Sequence, residues 1–193
     1  MKVKLKDLDI EFTSGQIQSR VEYKGNDTNI KKVLSIVPKA IDNGYLDHDF
    51  LSSFNVLDNQ DKLKLSELGD IILKVTTPYD ACIIEKDDTN LFIPSFCMKI
   101  KVKDERINKY YLLAFINSNY FYNECKNNAV GTAVSIINIS KVKEIEIPLI
   151  PLEEQGIIAS KYKNTIEKIK MMKEIVSLEH EYYDSYFKEI EER

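Results

Sequence analysis

The chain is expected to fold as a mixed α+β body that ends in one long, coiled-coil C-terminal helix. Three observations predict this. Short apolar runs bounded by polar turns recur through the first 150 residues, with helical spacing in the stretch between 107 and 126. At 147–155 the sequence reads Ile-Pro-Leu-Ile-Pro-Leu-Glu-Glu-Gln. Pro148 and Pro151 hold that approach extended, while Glu153 and Glu154 place negative charge where the helix dipole favours it. Beyond it, apolar residues recur at 4-3 spacing to the end of the sequence. The expected division is a body over 1–151 and a helix over 152–193, with no flexible linker between them.

The elements of the body follow in order. Residues 2–12 suit a strand or short helix leading to a loop at Thr13-Ser14-Gly15, and 33–37 suit a strand. Asp42-Asn43-Gly44 is a turn, because Asn and Gly tolerate positive φ. Residues 47–54 are expected to form a short helix and 71–75 a buried strand after the turn at Gly69-Asp70. Residues 81–84 and 91–93 look like the arms of a hairpin around Asp87-Asp88-Thr89-Asn90. In 98–103, Ile100 and Val102 point one way and Lys99, Lys101 and Lys103 the other. Residues 107–116 make a helix with Leu112, Leu113, Phe115 and Ile116 on its apolar face. Asn117-Ser118-Asn119 breaks it, and 120–126 makes a second helix. A polar loop over 127–132, a short element and a strand over 144–149 complete the body.

In the C-terminal helix, Ile158, Tyr162, Thr165, Ile169, Met172, Val176, Glu179, Tyr183, Tyr186 and Ile190 follow 4-3-4-3 spacing. That is the seam of a coiled coil, with Ile166, Ile175 and Tyr182 widening it. Nothing between 152 and 193 turns the chain back. A contact with another molecule is therefore expected in preference to folding onto its own body.

Composition bounds the function. Of 193 residues 44% are hydrophobic and 30% charged, which suits a globular chain. No run of 18 apolar residues is present and the N-terminus alternates Lys and Asp with aliphatics, so neither a membrane span nor a secretory signal is expected. Cys82, Cys97 and Cys125 are odd in number and widely spaced, the pattern of reduced core thiols in a cytoplasmic protein. The net charge is −4, of which −3 falls from residue 152 onward, leaving the body near neutral. That balance is poorly suited to gripping many phosphates unaided. Dinucleotide, phosphate-loop and zinc-protease motifs are absent. His48 and His180 are too far apart in sequence to suggest a catalytic pair. Thr77-Pro78-Tyr79 lacks the amide or acid and the second proline of an amino-methyltransferase motif. The expectation is a non-catalytic chain without cofactor or metal.

What remains is a set of polar loops. Lys74, Thr76, Thr77 and Tyr79 follow the strand at 71–75 and mix groups able to meet base edges and phosphates. Lys126, Asn127, Asn128, Gly131 and Thr132 form a second set, since Asn pairs with adenine and Gly permits close approach. Ser14, Gln16 and Arg20, around Gly15, form a third. Each is equally readable as a solvated loop or turn. The Lys99, Lys101, Lys103 row reads better as a solvated strand face than as a phosphate track.

The 147–155 segment closely resembles the end of each target recognition domain in the specificity subunits of type I restriction–modification enzymes. The resemblance continues through Gly69-Asp70-Ile71-Ile72-Leu73-Lys74, Ile93-Pro94-Ser95, Tyr111-Leu112-Leu113 with Asn117-Ser118, and Gly131-Thr132. It implies a non-catalytic subunit that selects a sequence on double-stranded DNA. The partners implied are a methyltransferase (modification) subunit using S-adenosylmethionine and a restriction subunit using ATP. Such subunits usually carry two recognition domains, each followed by a long helix; this sequence looks like one half. A homodimer or a pairing with a second half-subunit is therefore expected, through Ile158, Tyr162, Ile169, Met172, Val176, Tyr183 and Tyr186. A stand-alone DNA-binding regulator and a coiled-coil interaction protein without a DNA role are the alternatives.

Overall fold

The computed structural model describes residues 1–25, 29–58, 62–128 and 136–191. Ten strands are seen there: β1 Lys2–Lys4, β2 Ile10–Ser14, β3 Ile30–Ser35, β4 Ile41–Asp42, β5 Tyr45–Leu46, β6 Ser52–Leu57, β7 Ile71–Lys74, β8 Ala81–Ile83, β9 Cys97–Val102 and β10 Glu146–Pro148. Four α-helices accompany them: α1 Lys109–Ile116, α2 Asn119–Asn128, α3 Ile139–Glu144 and α4 Leu152–Glu191. A four-stranded antiparallel sheet in the order β2-β9-β7-β8 is the frame. Separate antiparallel pairs β1–β10, β3–β6 and β4–β5 surround it.

Strand β7 is buried on both faces, so its alternation sorts residues into two cores. Ile71 and Leu73 join Met98, Ile100, Leu112 and Leu113 in the larger core, beneath α1. Ile72 joins Cys82, Cys97, Ile36 and Ile41 in the second. A third, smaller core of Val21, Val33, Phe54, Val56 and Phe92 backs the β3–β6 ribbon.

Several expectations are corrected. Residues 47–54 are not a helix: a single 3-10 turn over His48–Phe50 leads into β6. Phe54 and Val56 are buried while Ser53 and Asn55 are exposed, and that period of two requires a strand. Strand β8 does not pair with 91–93. It folds back on β7, with Cys82 opposite Ile72, and Phe92 instead bridges Ser35 and Leu65. Thr13 and Ser14 belong to β2, so the loop begins at Gly15. A side chain on Gly15 would strike the Pro94 carbonyl oxygen at 1.9 Å. Asn119 starts α2 and Asn127 and Asn128 end it, so both expected loop residues are helical. The turn at Asp42-Asn43-Gly44 forms as expected, with φ of 43° at Asn43 and 99° at Gly44.

Helix α4 is continuous over 40 residues, or about 60 Å. Its proximal half lies on its own body. Gln155, Ala159 and Ile166 are buried there, and Tyr162 and Ile169 pack against the larger core. Of the expected seam, Tyr162 and Ile169 are therefore intramolecular contacts, while Ile158 and Thr165 give way to their neighbours Ala159 and Ile166 on the face that meets the body. The chain needs no reversal to achieve this, because the helix starts across the surface of the body at Pro151. The distal half leaves Met172, Val176, Tyr183, Tyr186 and Ile190 exposed.

Candidate nucleic-acid interface

Two of the segments singled out in the sequence, the turn after β7 and Ser14 at the end of β2, lie beside residues 136–140. The Thr76–Ile136 bridge and the Ile137 amide donating to the Val75 carbonyl at 2.9 Å bring the chain back beside the turn after β7. Together with β2 these segments enclose a groove of about 410 Å³ lined by Ser14, Val75, Ser95, Met98, Ile136, Ile137, Asn138 and Ser140. Hydroxyls and an amide thus ring an apolar floor. The Asn138 side chain caps α3 by accepting from the Lys141 amide at 3.0 Å and receives the Ser140 hydroxyl at 2.6 Å. Ser95, Asn138 and Ser140 were not among the expected contact residues; the available signals were the Ile93-Pro94-Ser95 motif and the cap pattern before α3.

The expected contact residues divide by accessibility. Thr77 is exposed and Thr76 half-buried at the rim of this region, and Lys126 and Asn127 are exposed on the last turn of α2. Asn128 turns its amide onto its own helix, donating to the Glu124 carbonyl at 2.8 Å. Gly131 and Thr132 lie outside the described residues. Ser14 is exposed, and its carbonyl accepts from the Lys64 ammonium at 2.6 Å. Gln16 is a clamp: its amide donates to the Lys62 carbonyl and its oxygen accepts from the Lys64 amide, both at 3.1 Å. Arg20 is exposed at the end of a 3-10 turn over Gln18–Arg20.

Two candidates are withdrawn by the geometry. Lys74 sits in the phase of Ile72, so its side chain runs into the second core instead of outward. Its ammonium donates to Asp80 at 2.6 Å and to the Ile41 carbonyl at 3.4 Å, and the residue is 6% exposed. Tyr79 is also buried, its ring centroid 5.9 Å from that of Tyr122.

Ion pairs set the electrostatics. The Lys99, Lys101, Lys103 row is answered by carboxylates, Glu67 meeting Lys99 and Lys101 and Glu11 meeting Lys103. Hydrogen bonds from Lys101 and then Lys99 hold the Glu67 carboxyl down at about 2. Lys6 and Lys4 do the same for Glu144, also at about 2. Burial pushes the Cys97 and Cys125 thiols up to about 12, and raises Cys82 as well, so none is a ready nucleophile. His48 pairs with Asp88 at 2.5 Å. Among the described residues no cluster of His, Cys, Asp and Glu is arranged to hold a metal, and no helix is long and apolar enough to cross a membrane.

The join between body and helix is the other built site. Gln155 is fully buried; its oxygen accepts from the Asn108 amide at 2.8 Å, and its nitrogen donates to the carbonyls of Arg106 at 2.9 Å and Ile150 at 2.8 Å. Asn117 exchanges both hydrogen bonds with Ala81 and donates to the Tyr162 hydroxyl at 2.8 Å. Lys173 pairs with Asp42 and Lys170 with Glu85 further along. Ile158, at the edge of this contact, borders an apolar groove with Tyr111, Phe115 and Tyr120.

Comparison with known proteins gives this arrangement a family. The type I restriction modification DNA specificity domain matches over residues 56–180. No curated protein sequence matches the chain. Among solved structures, the S subunit of a type I restriction-modification system from M. genitalium superposes with a TM-score of 0.63 at 17% identity, covering 96% of this chain and 44% of its own. The HsdS subunit from Thermoanaerobacter tengcongensis gives 0.56 at 15% identity, covering 91% and 39%. A chain from a structure of type I R-M system assembly and conformational transition gives 0.59 at 14%, covering 91% and 40%. Those likenesses concern the fold, α+β body and long C-terminal helix alike, and this chain spans less than half the length of each. With the family match running from β6 far into α4, over more than half of its residues, the chain belongs to the type I restriction modification DNA specificity family.

Proposed function

We propose that the chain is the DNA-reading subunit of a type I restriction–modification complex, corresponding to one half of a full-length specificity subunit. The family match over residues 56–180 is the observation that carries this reading. The body over 1–151 meets double-stranded DNA and the helix over 152–193 joins it to the rest of the complex. Contacts to DNA come from Ser14, Arg20, Thr76, Thr77, Lys126 and Asn127, together with Gly131 and Thr132. The exposed distal residues Met172, Val176, Tyr183 and Tyr186 support a second copy or a second half-subunit on α4. The chain has no catalytic role, needs no cofactor, and works in the cytoplasm with a modification subunit and a restriction subunit.

Methylome sequencing of cells with and without the chain tests the proposal, with the modification subunit present throughout. A methylated word that appears only when the chain is present is expected. An unchanged methylome overturns the reading.

A further inference from the structure

The third core supports a two-stranded ribbon whose outer face no described part of the chain covers. In the β3–β6 register, Val33 faces Phe54 on the inner side, and Phe54 meets Phe92 edge-on with ring centroids 5.0 Å apart. The outer side carries Lys32 opposite Asn55, Leu34 opposite Ser53 and Ile30 opposite Leu57. Lys32, Ser53 and Asn55 are exposed, and Leu34, at one end of the same face, is 47% exposed. A surface held rigid from behind thus presents an amide, a hydroxyl, an ammonium and an aliphatic group in one row.

The dimensions and the charge point to the same occupant. Six residue pairs extend about 20 Å and the two strands lie about 4.8 Å apart. A ribbon of that width enters a B-DNA major groove of about 12 Å. In sequence, the stretches 16–35 and 52–65, to which the two strands belong, contain six basic residues and four acidic ones, in a chain whose net charge is −4. Arg20, Lys31, Lys32 and Lys62 make no ion pair among the described residues, while Lys4 and Lys6 are held by Glu144, Lys99 and Lys101 by Glu67, and Lys103 by Glu11. Gln16 fixes the segment that carries Lys62 and Lys64, which makes it a positioning residue for this rim.

We propose that the outer face of the β3–β6 ribbon enters the DNA major groove and reads bases through Lys32, Ser53 and Asn55, with Leu34 against thymine methyl groups. The chemistry matches each role. An Asn amide pairs with the N6 and N7 edge of adenine, a Lys with guanine O6 and N7, a hydroxyl with several edges, and an aliphatic with the thymine methyl. The inference rests on the DNA-reading function proposed above and assigns it to an element that the sequence reading did not single out.

The test is enrichment from a random duplex pool by the full chain bound to its modification subunit, comparing wild type with Asn55→Ala, Lys32→Ala and Ser53→Ala. These side chains are exposed, so melting temperature and assembly with the modification subunit are checked to remain unchanged. The expected result is a word from wild type in which each variant loses preference at one or two positions, by roughly 10-fold for Asn55→Ala. Variants that enrich the unchanged word, or that weaken all sequences equally, overturn base reading by the ribbon and leave the DNA-reading function standing. A wild-type complex that enriches no word overturns both. A ribbon that instead binds protein would show itself as altered assembly with the word intact, and this too overturns the proposal.

Discussion

Single side chains join the parts of this protein, and Gln155 does so most completely. Replacing it by Ala removes the partner of the Asn108 amide and of the carbonyls of Arg106 and Ile150, all in part-buried hydrogen bonds. At about 1–3 kcal/mol for a buried group left unsatisfied, with partial relaxation, a loss of about 3 kcal/mol is expected by denaturant unfolding. The motif that contains Gln155 was legible in the sequence, but its role was not. A Gln on the first turn of a helix reads as solvated until two of its partners, Asn108 and Arg106, each over 40 residues away, are known. Lys74 misled for the same reason: a charge at the end of an apolar run looks like the start of a loop, and only the burial of both sheet faces turns it inward. Glu67 carries a pH dependence. Its folded carboxyl lies at about 2 against an ordinary 4.5, so its pairing stabilises fully above about 4.5 and is lost as pH falls towards 2. The melting-temperature gap between wild type and Glu67→Gln should be present near neutral pH, close across that acid window, and shrink in high salt.

At the scale of elements, α4 changes environment along its length. The residues that face its own body, Gln155, Ala159, Tyr162, Ile166 and Ile169, keep 4-3 spacing, and the apolar stripe runs on past the body into open surface. Periodicity therefore gave the helix, its length and its apolar stripe, while the partner of each half lay beyond its reach. One pattern serves an internal contact and an exposed face equally well. Met172→Lys with Val176→Lys is expected to shift the chain towards monomer in sedimentation velocity. Both residues are exposed, at 67% and 55%, so the thermal unfolding of the body should be unchanged. An unaltered sedimentation profile would show that this face does not hold a second copy. Strand assignments succeeded where alternation was strict, as in β9, and failed at 47–54 and 91–93. There the local pattern was short and the true partners were Ile30–Ser35 on one side and Ser35 and Leu65 on the other.

For the molecule as a whole, the sheet order β2-β9-β7-β8 joins segments some ninety residues apart, and no local reading gives that register. The class of fold and the family were nonetheless legible, because they rest on ordered local motifs and one long periodic helix. If two copies pack their helices antiparallel, two-fold symmetry requires an inverted-repeat site split by a spacer. A helix of about 60 Å limits the distance between half-site centres to roughly 18 base pairs at about 3.4 Å each. Sequencing of the methylated word tests this directly, and one uninterrupted asymmetric word would exclude the arrangement. The pairing of Lys4, Lys6, Lys99, Lys101 and Lys103 with Glu144, Glu67 and Glu11 also has a kinetic consequence. Cations already matched within the chain create little field beyond one Debye length, and the net charge of −4 opposes a polyanion at long range. Encounter with DNA should therefore proceed at an unsteered rate, about 10⁵–10⁶ M⁻¹s⁻¹, nearly flat in salt. Added salt would then act on the lifetime of the bound state, shortening it as the few unmatched cations of the ribbon lobe lose their phosphates.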